Sequence, residues 1–506
     1  MSPVFFAWTA IAIYVLLTII LAVRGAMRTS SLASFAVGNR DIPAAFVGLS
    51  LAAQLTSVAT FVVNPGLIYA YGLAGLLGLG GAAAIGIILG LVFFSRRFRA
   101  MGETVQALTI PQWIGARYQT KGLRIFFGLI SLALISFAVL IVVAISLVLG
   151  KLLMLNPNWI VIGIVVFVFS YVMLGGVNTH AYTNSVQAMI MLIVAIILIA
   201  SQLPMFWQGD GIFASLRSVD VNLVAATNPA SLYFRNIFEV FVCNFIVGLA
   251  IVCQPHILSK ALYLKEDRQV KQYLSVAILT GVIFVGVMVV GLYARVLFMP
   301  LNTVDAAYSF ITGSSIIPMD HVVPTFIAFN FSPFVSVIIG IGVLCAGLST
   351  LEGILLALSA IISNDLYLPI KGSISAKKDA QTDGGRDQSV LALRFARLVM
   401  IGVAIVTILI SFRQLAAPTG GSVAIFAQYG VYLLFTVSFL PLACGMFFPS
   451  VPRSVVSTSV FTALTVYLLV ANLGITHMHN NPAFLATVSI IAGWLVIAFG
   501  SKLSKR

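Results

Sequence analysis

The sequence predicts an all-α integral membrane protein, and three observations lead to that class. Of 506 residues, 60% are hydrophobic and only 8% are charged, a balance outside the range of soluble globular domains. The apolar residues gather in runs of about 20, the length a helix needs to cross the hydrocarbon core. Two of those runs carry internal breaks at matching places, the signature of a membrane fold built from two inverted repeats. Counting the runs gives about thirteen spanning helices. They make one transmembrane domain over residues 1–506 and leave no stretch for a soluble catalytic domain.

The first run, residues 4–23, has no basic segment before it and is followed by Arg24 and Arg28. That is the wrong polarity for a cleaved signal peptide, so residues 1–30 form an extra helix with its N-terminus outside. Runs at 42–69 and 73–95 follow, the latter ending in Arg96, Arg97 and Arg99. After an inner loop come runs at 123–150, 158–177 and 182–204, which close a first repeat over 42–205. A polar segment at 207–232 has to lie outside. Runs at 235–258, 270–299, 333–366 and 392–412 fill a second repeat over 233–412. Those at 422–448, 453–473 and 483–501 are additional C-terminal helices within 420–506.

A net charge of +14 would suit a nucleic-acid partner, but the basic residues are spread over loops rather than gathered in a patch. They report topology. All Lys and Arg fall on the inner side except Lys151, Arg217, Arg235, Arg295 and Arg413, which fixes the N-terminus out and the C-terminus in. Lipid surrounds the chain, and no nucleic acid is expected. Lys371 to Gln388 has the composition of a flexible inner loop. The loop from Pro300 to Pro324 lacks Lys and Arg, and its Asp305 and Asp320 read as solvated. Cys243, Cys253, Cys345 and Cys444 sit inside runs without metal-ligand spacing and read as packing residues.

The first broken run has polar Gln54, Thr56, Ser57 and Thr60 ahead of Asn64-Pro65-Gly66, and the second has Gly248 and then Gln254-Pro255-His256. Where a membrane helix unwinds, free carbonyls and helix ends can hold a cation and a polar molecule. The run from Ala346 to Tyr367 places Ser349, Thr350 and Glu352 on adjoining faces at mid-membrane depth. Ser and Thr in such helices often bond back to the preceding turn, so the two hydroxyls read either way. Glu352 points to function, because a carboxylate inside a membrane needs a partner. Arg235 and Glu239 have the spacing of a helical ion pair, structural or gating in role. His256 reads as a helix-positioning hydrogen bonder and His180 as part of a short polar loop. An enzyme is not expected, since no His, Cys or Lys lies within a helical turn of Glu352.

Several short motifs then occur in one order: Ala36-Val37-Gly38-Asn39-Arg40, Asn64-Pro65-Gly66-Leu67-Ile68-Tyr69, and Leu174-Gly175-Gly176-Val177 with Tyr182-Thr183-Asn184-Ser185-Val186-Gln187. Gln254-Pro255-His256-Ile257-Leu258 and Ser349-Thr350 with Asp365-Leu366-Tyr367 complete the set. With these motifs the chain resembles the sodium/solute symporter family, which includes bacterial proline, pantothenate and sialic acid symporters and the animal sodium/glucose transporters. The resemblance covers about Phe35 to Tyr367 and implies a LeuT-like fold of two inverted five-helix repeats whose first and sixth core helices are broken. It also implies sodium coupling, and the chain is read as an importer of a small organic solute (amino acid, pantothenate or short monocarboxylate type) driven by Na+ across a bacterial inner membrane, with a monomer as the expected working unit.

Carried over on Pro65 and Ser349-Thr350, the family's sodium ligands fall on Ala53, Thr56, Ala346, Ser349 and Thr350, an oxygen-only set that suits a hard cation. The solute residues fall on Gln54, Ser57, Thr60, Val247, Ile251 and Gln254. Three departures stand out. Asn184 follows Thr183 where relatives often have Asp, and Glu352 stands where several have Ser, so Glu352 with Thr183 and Asn184 reads as a second cation or proton site. Alternatively Glu352 is protonated and only donates a hydrogen bond. Val247 and Ile251 replace pocket aromatics, which argues against a stacked sugar. A proton-coupled symporter using Glu352, or a transporter-like solute sensor, is the alternative reading.

Overall fold

The structure, a computed structural model, describes residues 2–29, 32–38, 41–298, 317–369, 385–419, 422–473 and 478–503. Thirteen apolar helices follow one another: α1 (Pro3–Ala26), α2 (Ala44–Tyr71), α3 (Leu73–Thr104), α4 (Lys121–Leu153), α5 (Pro157–Met173), α6 (Gly176–Ala200), α7 (Phe238–Ile251 with Pro255–Tyr263), α8 (Arg268–Leu297), α9 (Pro333–Tyr367), α10 (Arg397–Ala416), α11 (Val423–Phe447), α12 (Arg453–Leu473) and α13 (Pro482–Lys502). Among the described residues, eleven are long and apolar enough to cross a membrane, the bent pair of α7 makes a twelfth, and α5 is a shorter apolar helix. Helix starts are written in the sequence. Pro opens α1, α5 and α9 at a position whose N–H has no helical partner, and Ser2, Asn156 and Ser422 cap α1, α5 and α11 with a side-chain oxygen.

α2, α4, α9 and α11 are mostly buried, whereas α1, α10 and α12 turn most of their surface outward. The centre is therefore built from the helices that carry the internal polar residues. α9 packs on α2, α4 and the α5–α6 pair, α8 lies along α2, and α3 lies along α7. α7 bends by 56° ahead of Pro255, at the expected break.

The break in α2 lies elsewhere than expected. Its non-helical residue is Ser57 (φ 17°, ψ 176°), seven positions before Asn64, and Asn64–Tyr71 is helical again after a wide turn at Ala59–Val63. Proline explains the shift: Pro65 has no N–H to give, and at the start of a new helical piece it needs none.

The loop expected around His180 does not form. α5 and α6 run on into each other through Gly176, whose φ of +57° is open to glycine and whose missing Cβ leaves room for Phe35 at 2.8 Å. His180 consequently stands in the first turns of α6 and is buried. Asp320 is also buried rather than solvated: it accepts from Ser422 Oγ at 2.7 Å and from Val423 N at 3.0 Å, at the N-terminus of α11. Arg235 and Glu239 form the expected ion pair (2.7 Å), to which Asn481 adds a hydrogen bond of 3.0 Å from the start of α13. Asp305, Asn39 and Arg40 lie outside the described residues, as does the Lys371–Gln388 loop up to residue 384; residues 385–388 open the helical stretch Gly385–Ala416 that contains α10.

Burial raises the Asp320 carboxyl above its ordinary value, and the bonds from Ser422 and Val423 pull it back in part. The native state then holds that proton to higher pH than the unfolded chain, so this increment of stability is lost as pH rises through and above the ordinary carboxylate range. In scanning fluorimetry Asp320→Asn should remove that pH dependence while keeping the cap. Asp320→Ala should remove it as well and lose about 1 kcal/mol more, the usual worth of a cap.

Candidate cation and solute site

Breaking α2 at Ser57 separates the carbonyls of Ala53 and Gln54 from the regular helical ladder. α9 supplies their partners. Ser349 Oγ lies 3.1 Å from Ala53 O and 3.0 Å from Ala346 O, and Thr350 Oγ1 lies 3.0 Å from Gln54 O and 3.5 Å from Ala346 O. Each hydroxyl carries one proton and faces two carbonyls, so oxygen atoms outnumber hydrogens between the two helices. Both side chains are fully buried. Of the expected ligands, Ala53, Ala346, Ser349 and Thr350 come together. Thr56 turns its hydroxyl back to Ala52 O (2.7 Å), which leaves its main-chain carbonyl as the oxygen it can offer. Gln54 joins the group through its carbonyl.

One turn further along α9, Glu352 is also fully buried. Its Oε1 accepts from Gln187 Nε2 at 2.7 Å and from the Tyr171 hydroxyl; Oε2 accepts from Thr183 Oγ1 at 2.7 Å and faces His180 Nδ1 at 3.3 Å. Gln187 Nε2 also reaches Tyr14 OH of α1 at 2.7 Å. Asn184, expected beside the carboxylate, instead donates to Ser349 O at 3.2 Å. Behind His180 stands Lys260 of α7, wholly buried, with Nζ 3.2 Å from His180 Nε2. Sequence reasoning misses Lys260 because it lies two residues past the expected helix end and counts as an inner-loop charge. The bend in α7 is what carries it inside.

A cavity of about 440 Å³ opens beside the breaks and extends toward the ends of α2, α3, α7 and α11 that the charge pattern puts outside. Ser57, Thr60, Val247 and Ile251 line it as expected, and Thr56, Asn64, Phe137, Asn244, Gln428 and Tyr432 add to the wall. Gln54 and Gln254 do not line it. Both are buried with amide nitrogen and oxygen unpartnered, a costly arrangement that a polar ligand would relieve. Gln54 lies over Gly353 of α9, where a Cβ would come within 1.6 Å of its amide nitrogen. On the inner side lies a water-sized gap of about 10 Å³, lined among others by Gly353, Pro255 and His256. His256 was expected to make a positioning hydrogen bond, yet neither ring nitrogen has a partner.

Two broken helices facing a hydroxyl-bearing third, with a cavity at the breaks, is the geometry of a cation-coupled carrier. Residues 35–437 match the Sodium:solute symporter family. The chain belongs to this family. It is similar to a sodium/pantothenate symporter of Haemophilus influenzae (23% identical, covering 94% of this chain and 91% of that one). It is also similar to a sodium/proline symporter of Staphylococcus aureus (26% identical, covering 79% and 74%). A Na+-coupled sialic acid symporter, solved in a substrate-bound outward-open state, shares the fold with a TM-score of 0.78 at 16% identity over 98% of this chain and 97% of that one. This member of the sodium:solute symporter family is thus a multi-pass bacterial inner-membrane protein with the LeuT-like fold, a sodium-coupled solute importer and not an enzyme.

Glu352→Ala would strip four buried donors of their acceptor. We expect it to lower stability by about 3 to 5 kcal/mol, the usual result of breaking a buried charge pair. Glu352→Gln, which retains one acceptor oxygen, should melt between that variant and the wild type.

Proposed function

We propose that sodium binds between α2 and α9 on the carbonyls of Ala53, Thr56 and Ala346 and the hydroxyls of Ser349 and Thr350, and that the solute binds next to it in the cavity. The observation that carries this reading is the meeting of the Ser349 and Thr350 hydroxyls with carbonyls at the break of α2. A cation there satisfies several oxygens at once and fastens α2 to α9. It favours the arrangement in which the cavity exists, and that differential affinity is what coupling requires.

The solute we propose is small, with an aliphatic body: an amino acid, a pantothenate-like molecule or a short monocarboxylate. Among the described residues, no Asp, Glu, Lys, Arg or His lines the cavity. A carboxylate on the solute would then find its positive partner in the sodium ion. Ser57 and Thr60 would bind its polar end, Val247 and Ile251 its carbon chain. Gln54 and Gln254 bring unpartnered amides to the breaks and turn to the solute as it binds. We take a monomer as the unit of transport. In this reading α2–α6 form the first inverted repeat, and five helices counted from α7 end with α11, so the second repeat reaches past residue 412 to Phe447.

Counterflow in proteoliposomes tests the proposal, with labelled proline, pantothenate and lactate as probes. One of the three classes should accumulate in a saturable way under an inward sodium gradient and not under a potassium gradient. Thr350→Ala should fold normally and raise the sodium concentration for half-maximal uptake at least tenfold. An unchanged sodium requirement would refute the ligand assignment, and solute binding without flux would point to a sensor.

A further inference from the structure

We propose that Lys260 is the resident counter-cation of Glu352, held to it through a neutral His180, so that a single sodium ion couples each cycle. The proposal rests on the reading of Ser349 and Thr350 as the sodium site. Its own basis is a chain of contacts one turn inward of that site.

The three hydrogens of the Lys260 ammonium have three acceptors: Ser50 O at 3.2 Å, Ser50 Oγ, and His180 Nε2 at 3.2 Å. Asn184 Nδ2, a further donor, lies 3.5 Å from the same ring nitrogen. A ring nitrogen flanked by two donors accepts, which puts the imidazole proton on Nδ1. Nδ1 faces Glu352 Oε2 at 3.3 Å and so donates to it. The result is an ammonium, a neutral imidazole and a carboxylate in line, with no net charge.

Buried charges persist only when they are paired and hydrogen-bonded, and both requirements are met here without an ion from solution. Tyr171, Thr183, Gln187 and His180 occupy both carboxylate oxygens. A second sodium would have to displace one of these donors and would add a positive charge that nothing nearby balances. Because Lys260 is tethered, its charge stays with the protein while the sodium ion crosses. Ser50, His180, Lys260 and Glu352 belong to α2, α6, α7 and α9, so Lys260 and His180 are positioning residues that hold α9 in register with both broken helices.

Equilibrium dialysis of the purified full chain against sodium-22 counts the ions directly. The wild type should bind one per chain, and Thr350→Ala none at the same concentration. Lys260→Met should melt several degrees lower and bind a second sodium beside the uncovered Glu352. The double variant Lys260→Met with Glu352→Gln should return to one ion and regain part of the lost melting temperature. Folding of the double variant where Lys260→Met alone does not fold would equally support the pairing. Two ions on the wild type, falling to one in Glu352→Gln, would overturn the proposal. So would a Lys260→Met variant that still binds one ion with wild-type affinity, or a double variant no more stable than Lys260→Met. If Thr350→Ala still binds one ion, the sodium-site reading fails instead.

Discussion

A carbonyl released inside a membrane has no water to bond, and the centre of this protein is organised around that constraint. Breaking α2 at Ser57 frees main-chain oxygens at a depth where each unpartnered group costs several kcal/mol. Ser349 and Thr350 answer it from α9, which is why α9 must be buried on nearly every side. Each hydroxyl can satisfy only one carbonyl at a time, whereas a cation satisfies all of them together. With sodium at the proposed site the break would be better stabilised than without it, and the energy of unwinding would become a coupling energy. A regular helix at the same place would need no ion and could not respond to one.

Much of this was legible in the sequence because polar residues are rare in the helices and each one has to be explained. Ser349, Thr350 and the polar string from Gln54 to Thr60 stand out against their apolar neighbours, and the structure brings four of the five expected ligands together. The exact position of the break was not legible. Asn64-Pro65-Gly66 looks like an interruption, but proline is harmless where a helical piece begins, and the unwound residue is a serine, which carries no helix-breaking signal of its own. The His180–Lys260 contact was hidden for a different reason. The two residues are eighty apart in sequence, and each sits at the expected end of a helix, where a charge or a histidine calls for no partner. Asp320 shows the same limit, since its partners at the start of α11 are about a hundred residues away. Local pattern identifies a polar residue in a helix; only the packing of helices says which end is buried.

The two sides of the site are held differently. Toward the outside the cavity is open and lined by uncharged groups, while toward the inside charged contacts join the same helices. Asp365 of α9 accepts from Arg124 Nε at 2.7 Å, and Arg99 of α3 pairs with Asp267 just ahead of α8. Opening inward has to part contacts of this kind. Depth decides how easily that happens: Asp267 is half exposed and water can replace its partner, whereas Asp365 is buried and Arg124 only partly exposed. Lys260 and Glu352 sit where water is not available, and separating them would leave two charges in hydrocarbon. On the proposed pairing the helices would part most easily where a partner is exposed, as at Asp267, and least easily at Lys260, and the deep contact would act as the pivot. The proposed sodium site lies one turn from that pivot along α9, so a small rotation there would change whether the oxygens of α2 and α9 can reach the same ion while larger displacements accumulate at the inner ends. A contact that stays closed throughout would let one ion control both sides.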